Sequence, residues 1–127
     1  MFLDTDILLA LVKEKDWLKS FVDLKKMSNP KTSVLNILEA QLVLMKELGR
    51  EESLNLLFKI KEKKIQIVAL PVEVSDKATE LLKSYPKLNL FDAMHAALCL
   101  LKNEQICGTD GIFAEISGLK WVDPRDL

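Results

Sequence analysis

Two hydrophobic rhythms alternate along this chain: short apolar runs that read as strands, and longer stretches with apolar residues three and four apart that read as helices. Phe2 and Leu3 lead into Asp4 as a first strand, after which Ile7, Leu8, Leu11 and Val12 recur at helical spacing up to the charged segment Lys13 to Asp16. A second helix is expected over Trp17 to Met27. Ser28-Asn29-Pro30 ends it, because proline restricts its own φ and the residue before it. Lys31 to Ser33 carries little strand signal of its own and is taken as the second strand from its context.

Val34, Leu38, Leu42, Met45 and Leu48 share one face of the next helix, and Gly49 is a natural stop. Another amphipathic helix covers Glu51 to Lys63. The β-branched run within Lys64 to Leu70 predicts a strand ended by Pro71, which can open the following helix, Val72 to Ser84. Asn89 is placed to cap a helix from Leu90 to Lys102 that is apolar almost all round, and therefore buried. Gln105 to Gly108 reads as a buried strand leading to Thr109-Asp110, with a short helix at Ile112 to Ile116 and a last strand at Leu119 to Val122. Strands separated by helices imply a mostly parallel sheet of about five strands covered on both faces.

A length of 127 residues, 49% of them hydrophobic, suits a single domain over 1–127 and leaves no room for a second. Eighteen Lys and Arg against nineteen Asp and Glu give a formal charge of -1, so a polyanionic partner must be attracted by local lysines. The uninterrupted apolar runs are too short to cross a bilayer, which needs roughly 20 residues. No secretory signal pattern opens the chain, and two cysteines, Cys99 and Cys107, are too few for a disulfide framework. A soluble cytoplasmic protein with buried thiols is expected.

The acids decide the chemistry. Open parallel sheets bind ligands beyond the carboxyl ends of their strands, where Asp4 and Asp110 fall. Asp92 stands in the first turn of an otherwise apolar helix, and Glu39 lies about a turn and a half into the helix after the second strand. Each has a plainer explanation: Asp4, Asp6, Asp92 and Asp110 can serve as helix caps, and Glu39 can be solvated at the flank of an apolar face. Jointly they mean more. Two carboxylates ~5 Å apart repel by about 3 kcal/mol at an effective dielectric near 20, so a cluster protonates, spreads or takes up a cation. Oxygen donors without histidine or thiolate nearby favour Mg²⁺ or Mn²⁺ over zinc.

Four segments in order carry a resemblance: Phe2-Leu3-Asp4-Thr5-Asp6-Ile7-Leu8-Leu9, Thr32-Ser33 followed by Glu39, Leu90-Phe91-Asp92-Ala93-Met94-His95-Ala96-Ala97, and Gly108-Thr109-Asp110-Gly111-Ile112-Phe113. The acids Asp4, Glu39, Asp92 and Asp110 are separated by 35, 53 and 18 residues. In this the chain resembles the PIN-domain ribonucleases, especially the compact VapC-type toxins, nearly end to end. The resemblance implies a three-layer α/β/α sandwich and hydrolysis of RNA phosphodiester bonds with Mg²⁺ or Mn²⁺, leaving a 5′-phosphate and a 3′-hydroxyl. It also implies homodimers and, for operon-encoded toxins, a small antitoxin partner. It maps Asp4, Asp92 and Asp110 to direct or water-mediated metal ligation, with Glu39 completing the acidic shell or orienting water. Asp6 departs from the family's usual neutral polar residue and is an additional metal-shell acid or a helix cap. Thr109 can hydrogen-bond the metal shell or a phosphate, or cap the adjacent helix.

His95, the only histidine, is expected to be a packed residue with a local hydrogen bond rather than a catalytic base. Trp17 and Trp121 are read as packing residues, and the lysines of Lys59 to Lys64 as a solvated helix end. Two other functions compete. Asp4-Thr5-Asp6 mimics the acid pair of haloacid-dehalogenase-type phosphohydrolases, although the chain is short for them and their other residues find no match. A non-catalytic receiver-like binding module has the right length, but Ala69-Leu70-Pro71 stands where its phosphoacceptor would follow the third strand.

Overall fold

Alternation within the shortest strands determines which face of the sheet each side chain serves. In the computed structural model, which describes all 127 residues, β1 is Phe2–Leu3 and β4 is Ile106–Cys107. They pair in parallel, with Phe2 opposite Ile106 and Leu3 opposite Cys107. Because successive strand residues point to opposite faces, Phe2 and Ile106 enter one core while Leu3 and Cys107 enter the other. Both faces are apolar and both are covered, as parallel sheets require.

The remaining strands are β2 (Lys31–Ser33), β3 (Gln66–Val68) and β5 (Trp121–Val122). All pairings are parallel, in the order β3-β2-β1-β4-β5. On one face α1 (Thr5–Val12), α2 (Val34–Leu48) and α3 (Arg50–Glu62) close the core containing Leu3, Leu8, Leu44, Leu56 and Ile60. On the other, α4 (Glu73–Ser84) packs on α5 (Leu90–Lys102) over Phe2, Val74, Leu98 and Phe113. The result is the expected three-layer α/β/α sandwich.

Helix boundaries follow local chemistry. Ser33 caps α2 by accepting from the Asn36 amide, and Asn89 caps α5 by accepting from that of Asp92. Gly49, at φ +100, separates α2 from α3 in a backbone conformation that side chains with a Cβ rarely adopt. The segment expected to be helical from Trp17 to Met27 is instead two short 3₁₀ turns, Lys19–Phe21 and Leu24–Lys26. Asp16 and Asp23 side chains accept from the amides of Leu18 and Lys25, offering the backbone a local alternative to the helix. Only Leu18 and Met27 of this stretch are buried, too few to hold a helix against the sheet.

The apolar stripe on α2 is not the face turned to the sheet. Ile37, Ala40 and Leu44 are buried there, whereas Val34, Leu38, Leu42, Met45 and Leu48 remain about half exposed. Leu54, Leu57 and Phe58 of α3 extend this apolar exterior. The local phase, determined by the cap at Ser33, wins over the more hydrophobic side of the helix.

The two sides of α3 should respond differently to truncation. Leu56 is fully buried, so Leu56→Ala should cost about 2–5 kcal/mol of unfolding free energy in a denaturant titration. Leu54, two residues before it and 61% exposed, should change stability by no more than about 0.5 kcal/mol when replaced by alanine.

Candidate metal centre

Strand order reverses at β1: β2 and β3 lie to one side, β4 and β5 to the other. This leaves a crevice beyond the carboxyl ends of β1 and β4, where connections depart in opposite directions. Asp4 follows β1 directly and Gly108 follows β4. Their approach is so close that a Cβ on Gly108 would stand 2.9 Å from the Asp4 Cβ and 3.0 Å from its Oδ2. Glycine is therefore a steric condition for where the Asp4 carboxylate rests.

Asp4 occupies the N-cap position of α1 but makes no side-chain cap bond, so capping does not account for it. Its side chain turns instead toward α2 and α5. Asn36, fully buried, brings its Nδ2 to 3.4 Å from Asp4 Oδ1 and 3.2 Å from Thr5 Oγ1. The Thr5 hydroxyl donates to Glu39 Oε1 in turn. His95 Nε2 lies 3.1 Å from that same oxygen and 3.8 Å from Asp4 Oδ1. One ligand atom from each of Asp4, Glu39 and His95 falls within 4.8 Å of the others, close enough to share an ion.

Burial makes this cluster unequal. The Asp4 carboxyl is pushed up to about 7, chiefly by desolvation, with the Asp6 and Glu39 charges adding to the rise and His95 opposing it. Burial also pushes Glu39 upward, but hydrogen bonds from His95 and Thr5 outweigh it and hold that carboxyl below its ordinary value. Asp92, half-buried, is raised by burial and then by the Asp110 charge. Within one site a reluctant anion stands beside a stabilised one.

The other sequence candidates have distinct positions. Asp92 stands in the first turn of α5, where the Asp110 and Glu39 charges act on it, but neither it nor Asp110 is among the side chains whose ligand atoms converge. Asp110 is exposed and caps the following 3₁₀ turn through its Oδ1, 3.0 Å from the Ile112 amide. Asp6 ties the loops together: its Oδ1 accepts from the Ile7 amide and its Oδ2 from both the backbone and the hydroxyl of Thr109. Thr109 thus has its hydroxyl proton committed to Asp6. The surroundings expected to lack histidine include His95, which is 1% exposed and whose Nδ1 has no partner. Asn36, not singled out from the sequence, stands at the centre of the network. Its only forward signal is a polar residue three places after the Ser33 cap.

A profile described as the PIN domain matches residues 1–119. The chain belongs to the PIN domain family. No relative was found among curated proteins. Among solved structures, the PIN fold here is similar to VapC20 of Mycobacterium tuberculosis, a sarcin-ricin loop cleaving toxin (19% identity, TM-score 0.77, 90% of this chain and 92% of that one). It is also similar to VapBC2 from Rickettsia felis bound to a promoter DNA fragment (19% identity, TM-score 0.74, 96% of each chain). A third likeness is to a toxin-antitoxin complex from Klebsiella pneumoniae (21% identity, TM-score 0.71, 97% of this chain and 96% of that one). The strand order separates this PIN domain from the receiver-like alternative, whose sheet runs 2-1-3-4-5. Neither that module nor the phosphohydrolase is favoured by the family match.

The burial of Asp4 gives a signed pH dependence. Between the ordinary carboxylate value of 3.8 and about 7, the folded protein retains a proton that the unfolded chain has released. Stability of the cation-free protein should therefore fall as pH rises through that interval, by an amount on the order of a few kcal/mol. Asp6 and Asp92 act in the same direction, and Glu39 opposes them. Chemical denaturation in EDTA at several pH values should show this decline in wild type and a much flatter profile in Asp4→Asn.

Proposed function

We propose that this PIN domain is a metal-dependent ribonuclease that hydrolyses RNA phosphodiester bonds and acts as the toxin of a toxin-antitoxin pair. One observation carries the reading: Asp4 and Glu39, 35 residues apart in sequence, converge in the crevice where the strand order reverses. The donor set fits a hard divalent cation, Mg²⁺ or Mn²⁺, since carboxylate oxygens dominate and no thiolate takes part. Asp4 and Glu39 are the proposed ligands, with Asp92 and Asp110 binding directly or through water at the rim. Asp6, with both oxygens engaged by backbone and Thr109, acts as a clamp between the loops after β1 and β4 rather than as a ligand.

A cation held there supplies Lewis-acid polarisation of a phosphodiester and acidifies an attacking water. The protein's own part is positional and electrostatic. Asp4 and Glu39 present oxygens on a rigid strand end and a capped helix, so their geometry does not have to be assembled when RNA arrives. The acidic rim repels phosphate until a cation neutralises it, which makes RNA binding conditional on the metal. Thr109 orders the loop that carries Asp110.

The toxin assignment draws on neighbours that are themselves toxins or toxin-antitoxin complexes. The apolar exterior of α2 and α3 supports a protein partner. Val34, Leu38 and Leu57 line a groove there of about 600 Å³ that also reaches Ile67 of β3. A small antitoxin laying apolar side chains into it would remove this surface from water. Homodimerisation and a cytoplasmic setting belong to the same reading: the first rests on the family resemblance, and the free thiols of Cys99 and Cys107 suit the second.

Purified protein should cleave RNA with Mg²⁺ or Mn²⁺ and stop in EDTA. Asp4→Asn and Glu39→Gln should each lower the rate by about a hundredfold or more, the scale of losing several kcal/mol of charge stabilisation. Their circular dichroism should match wild type. Full activity in EDTA, or full-rate variants, would sink the ribonuclease reading; absence of growth arrest on induced expression would count against the toxin role alone.

A further inference from the structure

We propose that His95 is a positioning residue, whose Nε2–H holds the Glu39 carboxylate in the pose that binds the cation without itself entering the ligand set. The inference rests on the reading of this crevice as a metal centre, and it concerns how the protein's own side chains prepare it.

The hydrogen-bond donors in the cluster can be assigned one at a time. The Asn36 backbone amide donates to Ser33 Oγ at 3.1 Å, so the Ser33 hydroxyl proton is free to donate to Asn36 Oδ1 at 2.7 Å. That orients the Asn36 amide with Nδ2 toward Asp4 Oδ1 and Thr5 Oγ1; the opposite orientation would set a carbonyl oxygen against the Asp4 carboxylate. Thr5 Oγ1 accepts from Asn36 and passes its own proton to Glu39 Oε1. The donors therefore run from Asn36 to Asp4, and from Asn36 through Thr5 to Glu39.

His95 approaches Glu39 from the other side of the crevice, on α5, with Nε2 3.1 Å from Oε1. With the proton on Nε2 this is a donor facing a carboxylate. With the proton on Nδ1, a lone pair would face that carboxylate, and a buried N–H would have no acceptor, since Nδ1 has no partner; Asn36 Nδ2, 3.2 Å from Nε2, has its two protons directed to Asp4 Oδ1 and Thr5 Oγ1 and leaves none for such a lone pair. The first tautomer costs less on both counts.

The same accounting separates positioning from ligation. To bind a cation through Nε2, His95 would have to carry its proton on Nδ1. Ligating histidines almost always give that second N–H to a carboxylate, carbonyl or water, and here no such protein acceptor is present. Burial at 1% exposure, between α5 and α2, instead locks the ring where it can steer Glu39. Glu39 is the member of the cluster that most needs steering, because its side chain is the most exposed of the three.

The test is a Mn²⁺ titration of the full chain followed by electron paramagnetic resonance, with thermal melts in EDTA alongside. His95→Leu should weaken Mn²⁺ binding about 10- to 100-fold, as loss of partners that orient ligands does. His95→Gln, whose amide can donate from near the Nε2 position, should restore most of the affinity. If the leucine variant fails to fold, His95→Asn, polar but too short to reach Glu39, should show the same weakening. The pulsed spectrum of the wild-type Mn²⁺ complex should carry no coupling to an imidazole nitrogen. Such a coupling, or unchanged affinity in folded His95→Leu and His95→Asn, would overturn the positioning role while leaving the metal centre intact. A wild-type protein that binds no Mn²⁺ would overturn the metal centre itself.

Discussion

Holding the Asp4 carboxylate in a nearly dry crevice beside that of Glu39 is the constraint around which this molecule is arranged. Desolvation raises the energy of the Asp4 anion and the neighbouring acids raise it further. Donors from three helices satisfy the pair: Asn36 from α2 donates to Asp4, and Thr5 from α1 and His95 from α5 face Glu39. None of these brings a permanent positive charge. The cluster is thus satisfied well enough to fold and left electrostatically short of a cation, which is the condition a metal centre needs before it is loaded.

The scaffold explains how so exacting an arrangement is held by strands of only two or three residues. Such short ladders contribute few hydrogen bonds, so the position of β1 depends on the cores above and below it. Leu3 and Cys107 anchor one side, Phe2 and Ile106 the other. Gly108 then allows the strand end of β4 to approach Asp4, and Asp6 ties that end to α1 through Thr109. The acidic site and the hydrophobic packing are coupled because the same four-residue stretch, Leu3 to Asp6, supplies both.

Helix α2 joins two surfaces. Its inner side carries Asn36 and Glu39 into the crevice, while Leu38, adjacent to Glu39 in sequence, belongs to the apolar exterior. A helix with apolar residues around most of its circumference can meet both demands only if its rotation is determined by something other than hydrophobicity. The Ser33 cap and the buried Asn36 amide do that: turning α2 to bury Leu38 and Leu42 would expose Asn36 and strip Asp4 and Thr5 of their donor.

Much of this was legible from the linear chain, for physical reasons. Short apolar runs, helices with apolar residues three and four apart, the Asn89 cap and the glycine stop at Gly49 are local properties, so the α/β alternation and the layered parallel sheet followed from residues near one another in sequence. Acids at strand ends could be recognised because parallel sheets open there. The stretch from Trp17 to Met27 was misread because helical spacing of apolar residues says nothing about whether a surface is available to bury them, and Asp16 and Asp23 offered the backbone a nearer partner. His95 was expected only to pack with a local hydrogen bond, and Asn36 was not singled out, for a related cause. Whether a lone histidine is packing or part of a site depends on what α5 faces across the crevice, and an asparagine inside a helix reveals its role only when the aspartate 32 residues earlier stands against it. Local sequence determined the elements and the candidate acids; only tertiary structure decided which carboxylates share a dielectric environment, because burial and distance are properties of the packed whole.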